Sequence, residues 1–220
     1  DNILFTGKNT PPSPAEEEVR KRLFEMREQR VRPHLDDKIL TDWNGLTIEA
    51  FARAGRVFDN PDYIRIAERC ARFILDEMKK HDGLLLHRYR AGSAGIPGTL
   101  TDYAFLTAGL LELYRSTFDL LYLETAAELA AYCDEHFLDP VDGGYFLTPD
   151  YQNDLPVREK EGTDSAVPSG NSVMMENLLI LFKLTGTADY RSRAEDLFRA
   201  FGGSIDQYPW GFPMMLAGAM

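Results

Sequence analysis

Residues 101–122 read TDYAFLTAGLLELYRSTFDLLY. From Tyr103 to Tyr114 the side chains are nearly all apolar, the pattern of a helix buried on several sides, whereas Leu121 to Phe137 sets Leu and Ala faces against Glu124, Glu128 and Asp134. One helix belongs inside and the next outside. The same phrase occurs twice more: Asp102 stands twenty residues before Tyr122, as Trp43 does before Tyr63 and Gly170 before Tyr190. A self-similarity of roughly sixty residues is longer than the ~34–47 of common helical repeats, so each unit carries additional loop.

Working outward, Gly45 to Phe58 is apolar around its whole circumference and is followed by Asn60-Pro61-Asp62, an N-cap with a first-turn proline and acid. Tyr63, Ile66, Ala67, Cys70, Phe73 and Ile74 then form a single stripe. Val173 to Leu184 against Tyr190 to Phe201 repeats the contrast a third time, and Trp210 to Met220 opens a further helix. After the outer helices come glycine-aromatic stretches, 81–90 and 139–147, each expected to form a short strand or hairpin. Ser13 and Glu16 make a capping box for a charged, solvated helix from Pro14 to Gln29, preceded by an extended connector over 1–13. The expected fold is all-α: a partial (α/α) toroid of helical hairpins over 14–220, with short β-hairpins in its loops, forming one domain that is a piece of a larger ring. A closed ring of six hairpins needs about six of these sixty-residue units, against the three to four present. A tetratricopeptide-type superhelix is the rival, and the long loops and wholly apolar inner helices weigh against it.

Composition narrows the partners. A net charge of −11 and a pI near 4.8, without a dense basic stripe, oppose binding to a nucleic-acid backbone. No apolar run is long enough for a membrane span. Cys70 and Cys133 lie in helical patterns without ligand spacing and read as reduced thiols, giving a cytoplasmic expectation. Phosphate-cradling glycine loops, nucleophile elbows and zinc spacings are absent, so neither cofactor nor metal is expected.

If inner helices start at one end of the ring, the residues there converge, and unpaired N–H groups at the helix starts face any ligand. That rim would gather Asp36, Asp37, Lys38, Asp42, Trp43 and Asn44 with Thr101, Asp102 and Tyr103, then Ser169, Asn171 and Ser172, then Tyr208 and Trp210. Carboxylates, amides and aromatic faces suit a sugar, with Trp43 and Trp210 as stacking surfaces and Lys38, Arg88 and Asn44 as polar contacts. Asp37 and Asp102 are the candidate acid and base for glycoside hydrolysis. His87 or His34 is the candidate base if the chemistry is epimerisation. The plainer reading makes Asp42, Thr101 and Ser169 N-caps, Trp43 and Trp210 core wedges, and His87 a packed strand residue. Glu176, an acid within an apolar inner helix, needs a basic partner or a cavity.

The runs Arg32-Pro33, Asp36 to Thr41, Trp43 to Leu46, Leu84 to Arg90, Thr101 to Phe105 and Pro168 to Ser172 resemble the spermatogenesis-associated thioredoxin-like protein family of bacteria and animals. The resemblance covers essentially the whole chain and is most specific from Asp36 to Leu46. It implies an N-terminal thioredoxin-like domain, not contained in this sequence, joined to a helical region of the six-hairpin glycosidase type that is related in shape to sugar 2-epimerases. The expected role is then a carbohydrate-active or sugar-binding toroid. The alternative is a non-catalytic helical scaffold supporting the thioredoxin-like domain.

Overall fold

The computed structural model describes residues 11–152 and 156–220. Two compact units divide the chain, 1–37 and 38–220. The first unit contains helix α1 (Pro14–Glu28), which starts at the Ser13–Glu16 capping box and buries none of its side chains. Residues 1–10 of the expected connector lie outside the described residues.

The second unit alternates inner and outer helices: α2 (Thr41–Val57), α3 (Pro61–Glu77), α4 (Leu100–Thr117), α5 (Leu120–His136), α6 (Gly170–Thr185), α7 (Ala188–Gln207) and the short α8 (Pro213–Ala219). Glycine sets the spacing of the inner layer. A Cβ on Gly45 of α2 would lie 2.5 Å from the Phe105 carbonyl carbon of α4, and one on Gly109 would lie 2.8 Å from the Gly45 carbonyl oxygen. The two backbones therefore touch, and only a residue without a side chain fits on either. On its other flank α4 meets α6, where Asn177 Nδ2 donates to the Ala104 carbonyl at 2.8 Å and a Cβ on Gly170 would meet the Leu100 side chain at 2.9 Å.

Contact of first turn with first turn means that the inner helices begin at the same end. α8 joins them there, because its Met214 N–H donates to Asp164 of the loop entering α6. With α4 thus enclosed, Leu100, Tyr103 to Thr107 and Gly109 to Leu113 are all buried. The outer helices bury one stripe each, Ala67, Ala71 and Ile74 on α3 and Ala194, Leu197, Phe201 and Ile205 on α7. This is the partial (α/α) toroid expected from the hydrophobic pattern.

Two local expectations are corrected. α2 is not buried on several sides: it buries Thr41, Gly45, Ile48, Ala52 and Gly55 while Ala50 and Val57 face solvent, because among the described residues it has an inner-helix neighbour on one flank only. The stretch 139–147 forms no strand. Its one bridge joins Leu138 to Tyr145, flanked by the Asp139 N–H to Gly144 C=O and Phe146 N–H to Phe137 C=O bonds, and on the opposite side the Asn171 side chain takes up the Tyr145 N–H and C=O. The stretch 81–90 does yield a hairpin, β2 (Leu86–Arg90) with β3 (Ser93–Pro97), turned through Ala91 and Gly92 at φ of 49° and 79° as a tight primed turn demands. A two-residue strand β1 (Ile39–Leu40) pairs with the free side of β2, giving an antiparallel sheet in the order β1-β2-β3. Since β1 runs directly into α2, this sheet carries β2 across the mouth of the α2–α4 junction.

Candidate functional site

At that junction Asp102, in the first turn of α4, has no exposed surface. Everything around it donates. Oδ1 accepts the Asp42 N–H at 3.0 Å; Oδ2 accepts the Thr99 N–H at 2.8 Å and the Thr99 hydroxyl at 3.2 Å. His87 Nδ1, arriving from β2, stands 3.0 Å from both oxygens. A carboxylate so surrounded fixes the tautomer of the imidazole, with the Nδ1 proton directed at Asp102 and Nε2 left to act outward. The hydrogen bond to Asp102 raises the His87 pKa above its ordinary value. The His87 side chain stays partly open to solvent.

The carboxyl of Asp42 completes the group. Its oxygen accepts the Trp43 N–H at 2.8 Å, and desolvation, followed by the charge of Asp102, pushes its pKa up. One ligand atom from each of Asp42, His87 and Asp102 lies within 4.8 Å of the others, a spacing that can hold a cation. The donor set argues against a resident ion. Both Asp102 oxygens are occupied by N–H and O–H donors, and Nδ1 carries a proton, which leaves Asp42 and Nε2 as two ligands where zinc sites supply at least three. The arrangement handles protons: an imidazole held by a buried acid beside a half-buried carboxyl that resists ionisation.

The other rim candidates are distributed unevenly. Trp43 is exposed at 64% and Trp210 at 86%, so neither is a core wedge. Tyr103 is buried, its ring stacked on Tyr132 and its hydroxyl oxygen accepting the Leu85 N–H at 2.8 Å, which removes it from the surface. Asn171 is likewise buried and clamps Tyr145 and the Glu161 carbonyl. Ser169 caps α6. Asn44 donates to the Leu40 carbonyl and accepts from the Cys70 thiol, bracing β1 against α2 and α3. Arg88 is half-buried beside His87, and its Nε is enclosed without a partner among the described residues. Asp36 and Asp37 belong to the first unit and Lys38 opens the second; all three are engaged in interactions. The pairing of Asp37 with Asp102 thus falls across the two units.

Glu176 is half-buried and part of a separate charged layer lower on the inner helices, where its charge helps raise the Glu49 pKa after burial has done most of it. There the buried Glu112 pairs with Arg53, Arg56 and Arg115. Two caps are also reassigned. The N-cap residue of α4 is Thr99 and that of α2 is Leu40, so Thr101 and Asp42 lie inside their helices rather than capping them. Asp42 is the site member that the sequence reading missed as chemistry. Its signal was its place beside Trp43 at a repeated helix start.

No family model matches the chain. Spermatogenesis-associated protein 20 of Rattus norvegicus is 36% identical over 206 residues, covering 89% of this chain and 26% of that protein. The Homo sapiens protein is 35% identical over 210 residues, with the same coverage. The chain is homologous to spermatogenesis-associated protein 20. It spans about a quarter of the length of these curated relatives. Among solved structures, the cellobiose 2-epimerase of Spirochaeta thermophila superposes with a TM-score of 0.64 at 19% identity, over 86% of this chain and 55% of that one. An α-mannanase of Bacteroides thetaiotaomicron gives 0.63 at 16% identity over 86% and 55%, and a D-mannose isomerase gives 0.59 at 15% identity over 74% and 42%. These similarities establish the six-hairpin, glycosidase-like toroid as the fold shared with this homologue of spermatogenesis-associated protein 20.

Proposed function

We propose that this segment is a carbohydrate-active part of a toroid whose chemistry is proton transfer on a sugar in its open-chain form. The observation that carries the reading is the His87–Asp102 pair at the shared start of α2 and α4, with Asp42 beside it. Hydrolysis by two carboxylates is the weaker fit within the second unit. Asp102 is wholly buried and both of its oxygens are taken up by donors, which leaves it unable to flank a glycosidic bond.

In the proposed step, His87 Nε2 takes the proton from the carbon next to the carbonyl. The C–H electron pair becomes the C=C bond of an enediol, and the carbonyl oxygen takes the proton of the Asp42 carboxyl, whose raised pKa favours the protonated form. Return of the His87 proton to the neighbouring carbon on the same face, with an enediol hydroxyl giving its proton back to Asp42, interconverts aldose and ketose. One base suffices for such a shift. Asp102 is a positioning residue that stabilises the imidazolium formed midway. The isomerase and epimerase among the structural neighbours act in the same reaction class, which favours this reading over a scaffold without catalysis.

The test is incubation of the protein in D2O with a panel of aldoses and ketoses, following loss of the proton signal next to the carbonyl by NMR. Exchange that is abolished in His87→Gln and reduced at least a hundredfold in Asp102→Asn supports the proposal. Absence of exchange with every sugar in the panel, with all variants folded, would leave the scaffold reading in its place.

A further inference from the structure

Beside the His87 group a second feature opens on the same rim. Between the first turns of α4 and α6 lies a cavity of about 110 Å³ whose eleven lining residues include Thr101, Glu161, Thr163, Ser165 and Ser169. At ~30 Å³ per water it holds three or four waters, and it falls well short of the ~300 Å³ at which pockets begin to enclose a whole small molecule. It is the size of a short polyol arm. Four of the eleven lining residues are hydroxylated, the charged one is an acid, and Leu100, Leu147, Val167 and Pro168 supply apolar surface; no lysine or arginine lines it. With hydroxyl groups and an acid set beside apolar faces, such a wall suits the O–H and C–H surface of a neutral polyol better than a carboxylate or phosphate.

The cavity is wired to the proton-transfer group. The Thr101 hydroxyl lies 2.9 Å from the Thr99 hydroxyl, which donates to Asp102 Oδ2 at 3.2 Å, and Asp102 holds His87 Nδ1. If a ligand hydroxyl engages Thr101, the direction of the Thr101–Thr99 hydrogen bond changes, and with it the donation that Asp102 receives.

We infer that this cavity is a subsite for a neutral, hydroxylated arm of two to four carbons, and that its occupancy is sensed at His87 through Thr101, Thr99 and Asp102. The inference rests on the proton-transfer reading for the role of His87, whereas binding at the subsite is read independently of turnover. It places the ligand among neutral sugars and polyols and sets uronic acids and sugar phosphates aside.

The experiment uses protein carrying 13C-methyl threonine, titrated with glycerol and erythritol and, in parallel, with glycerate and glycerol 3-phosphate. Saturable shifts of the Thr101 and Thr163 methyls with the neutral probes, at least tenfold weaker with the anions, support the subsite. Thr163→Trp, a change at an exposed residue that fills the cavity, should abolish the Thr101 shifts; Thr101→Val should keep the Thr163 shift and lose the accompanying shift of the His87 imidazole. No saturable shift, equal response to the anions, or binding untouched by Thr163→Trp overturns the inference. Failure of deuterium exchange alone, with these titrations intact, removes the catalytic reading and leaves the subsite standing.

Discussion

Asp102→Asn keeps the shape of the side chain and reverses the hydrogen-bonding sense of one of its two arms. Each described neighbour is a donor: the N–H groups of Asp42 and Thr99, the Thr99 hydroxyl, and His87 Nδ1. Whichever way the amide turns, its NH2 confronts a backbone N–H in a place with no exposed surface. Charge-assisted bonds contribute about 1.5–3 kcal/mol each, and a buried donor left unpaired costs about 1–3 kcal/mol. Losing one of the two backbone bonds and leaving its N–H unmet therefore comes to about 3 kcal/mol. For a chain of 150–250 residues that is a fall in Tm of about 6–12 °C.

The loss should also depend on pH. His87 has a folded pKa above its unfolded one, so the stability it adds is fully present below the unfolded value near 6.5 and disappears as pH rises through the raised folded value. Thermal unfolding of wild type and Asp102→Asn at pH 5.5 and pH 9 should show the larger gap at pH 5.5. A Tm change under 2 °C, or a gap that widens toward pH 9, would refute the reasoning.

Three further outcomes follow from the packing. Gly109→Ala, which in an open helix would gain about 1 kcal/mol, should instead destabilise by about 1–3 kcal/mol in urea unfolding, because its Cβ would lie 2.8 Å from the Gly45 carbonyl oxygen and 3.1 Å from the Ile48 side chain. Asn171→Ala should cost about 3 kcal/mol in the same assay, since it leaves the Tyr145 N–H and C=O and the Glu161 C=O without the side chain that satisfies them. Asp139, held by Lys160 Nζ at 2.7 Å, has its pKa lowered to about 2, so its contribution is present above pH 4 and lost as pH falls through 2; Lys160→Met should raise the midpoint pH of acid unfolding.

The helices were legible because their burial is periodic. The apolar circumference of α4, the single stripe of α3 and the Ser13, Asn60 and Ser169 caps are all local properties of the chain. α2 was misread because sequence reports that Ala50 and Val57 are apolar, not whether a neighbouring helix stands opposite them. At 139–147 the pairing stops at the one bridge between Leu138 and Tyr145, and the N–H and C=O on the other side of Tyr145 go to Asn171, 26 residues away, rather than to another strand. At the site, Asp102 was named from the rim that the repeat implies, whereas His87 was named, with His34, only as a base of suitable pKa. Their mutual bond was not, since it depends on β1 aligning β2 over the start of α4, a registration set by tertiary contacts. Tyr103 and Asn171 stand where a rim residue should, yet helical rotation turns both inward.

The most direct measurement is an NMR pH titration of the His87 imidazole in wild type, Asp102→Asn and Asp42→Asn. The account requires an Nδ1-protonated ring with a pKa above 6.5 in wild type, falling in Asp102→Asn, which removes the carboxylate bonded to Nδ1, and moving less in Asp42→Asn, whose carboxyl resists ionisation. A wild-type value at or below 6.5, or one unmoved by Asp102→Asn, would contradict it.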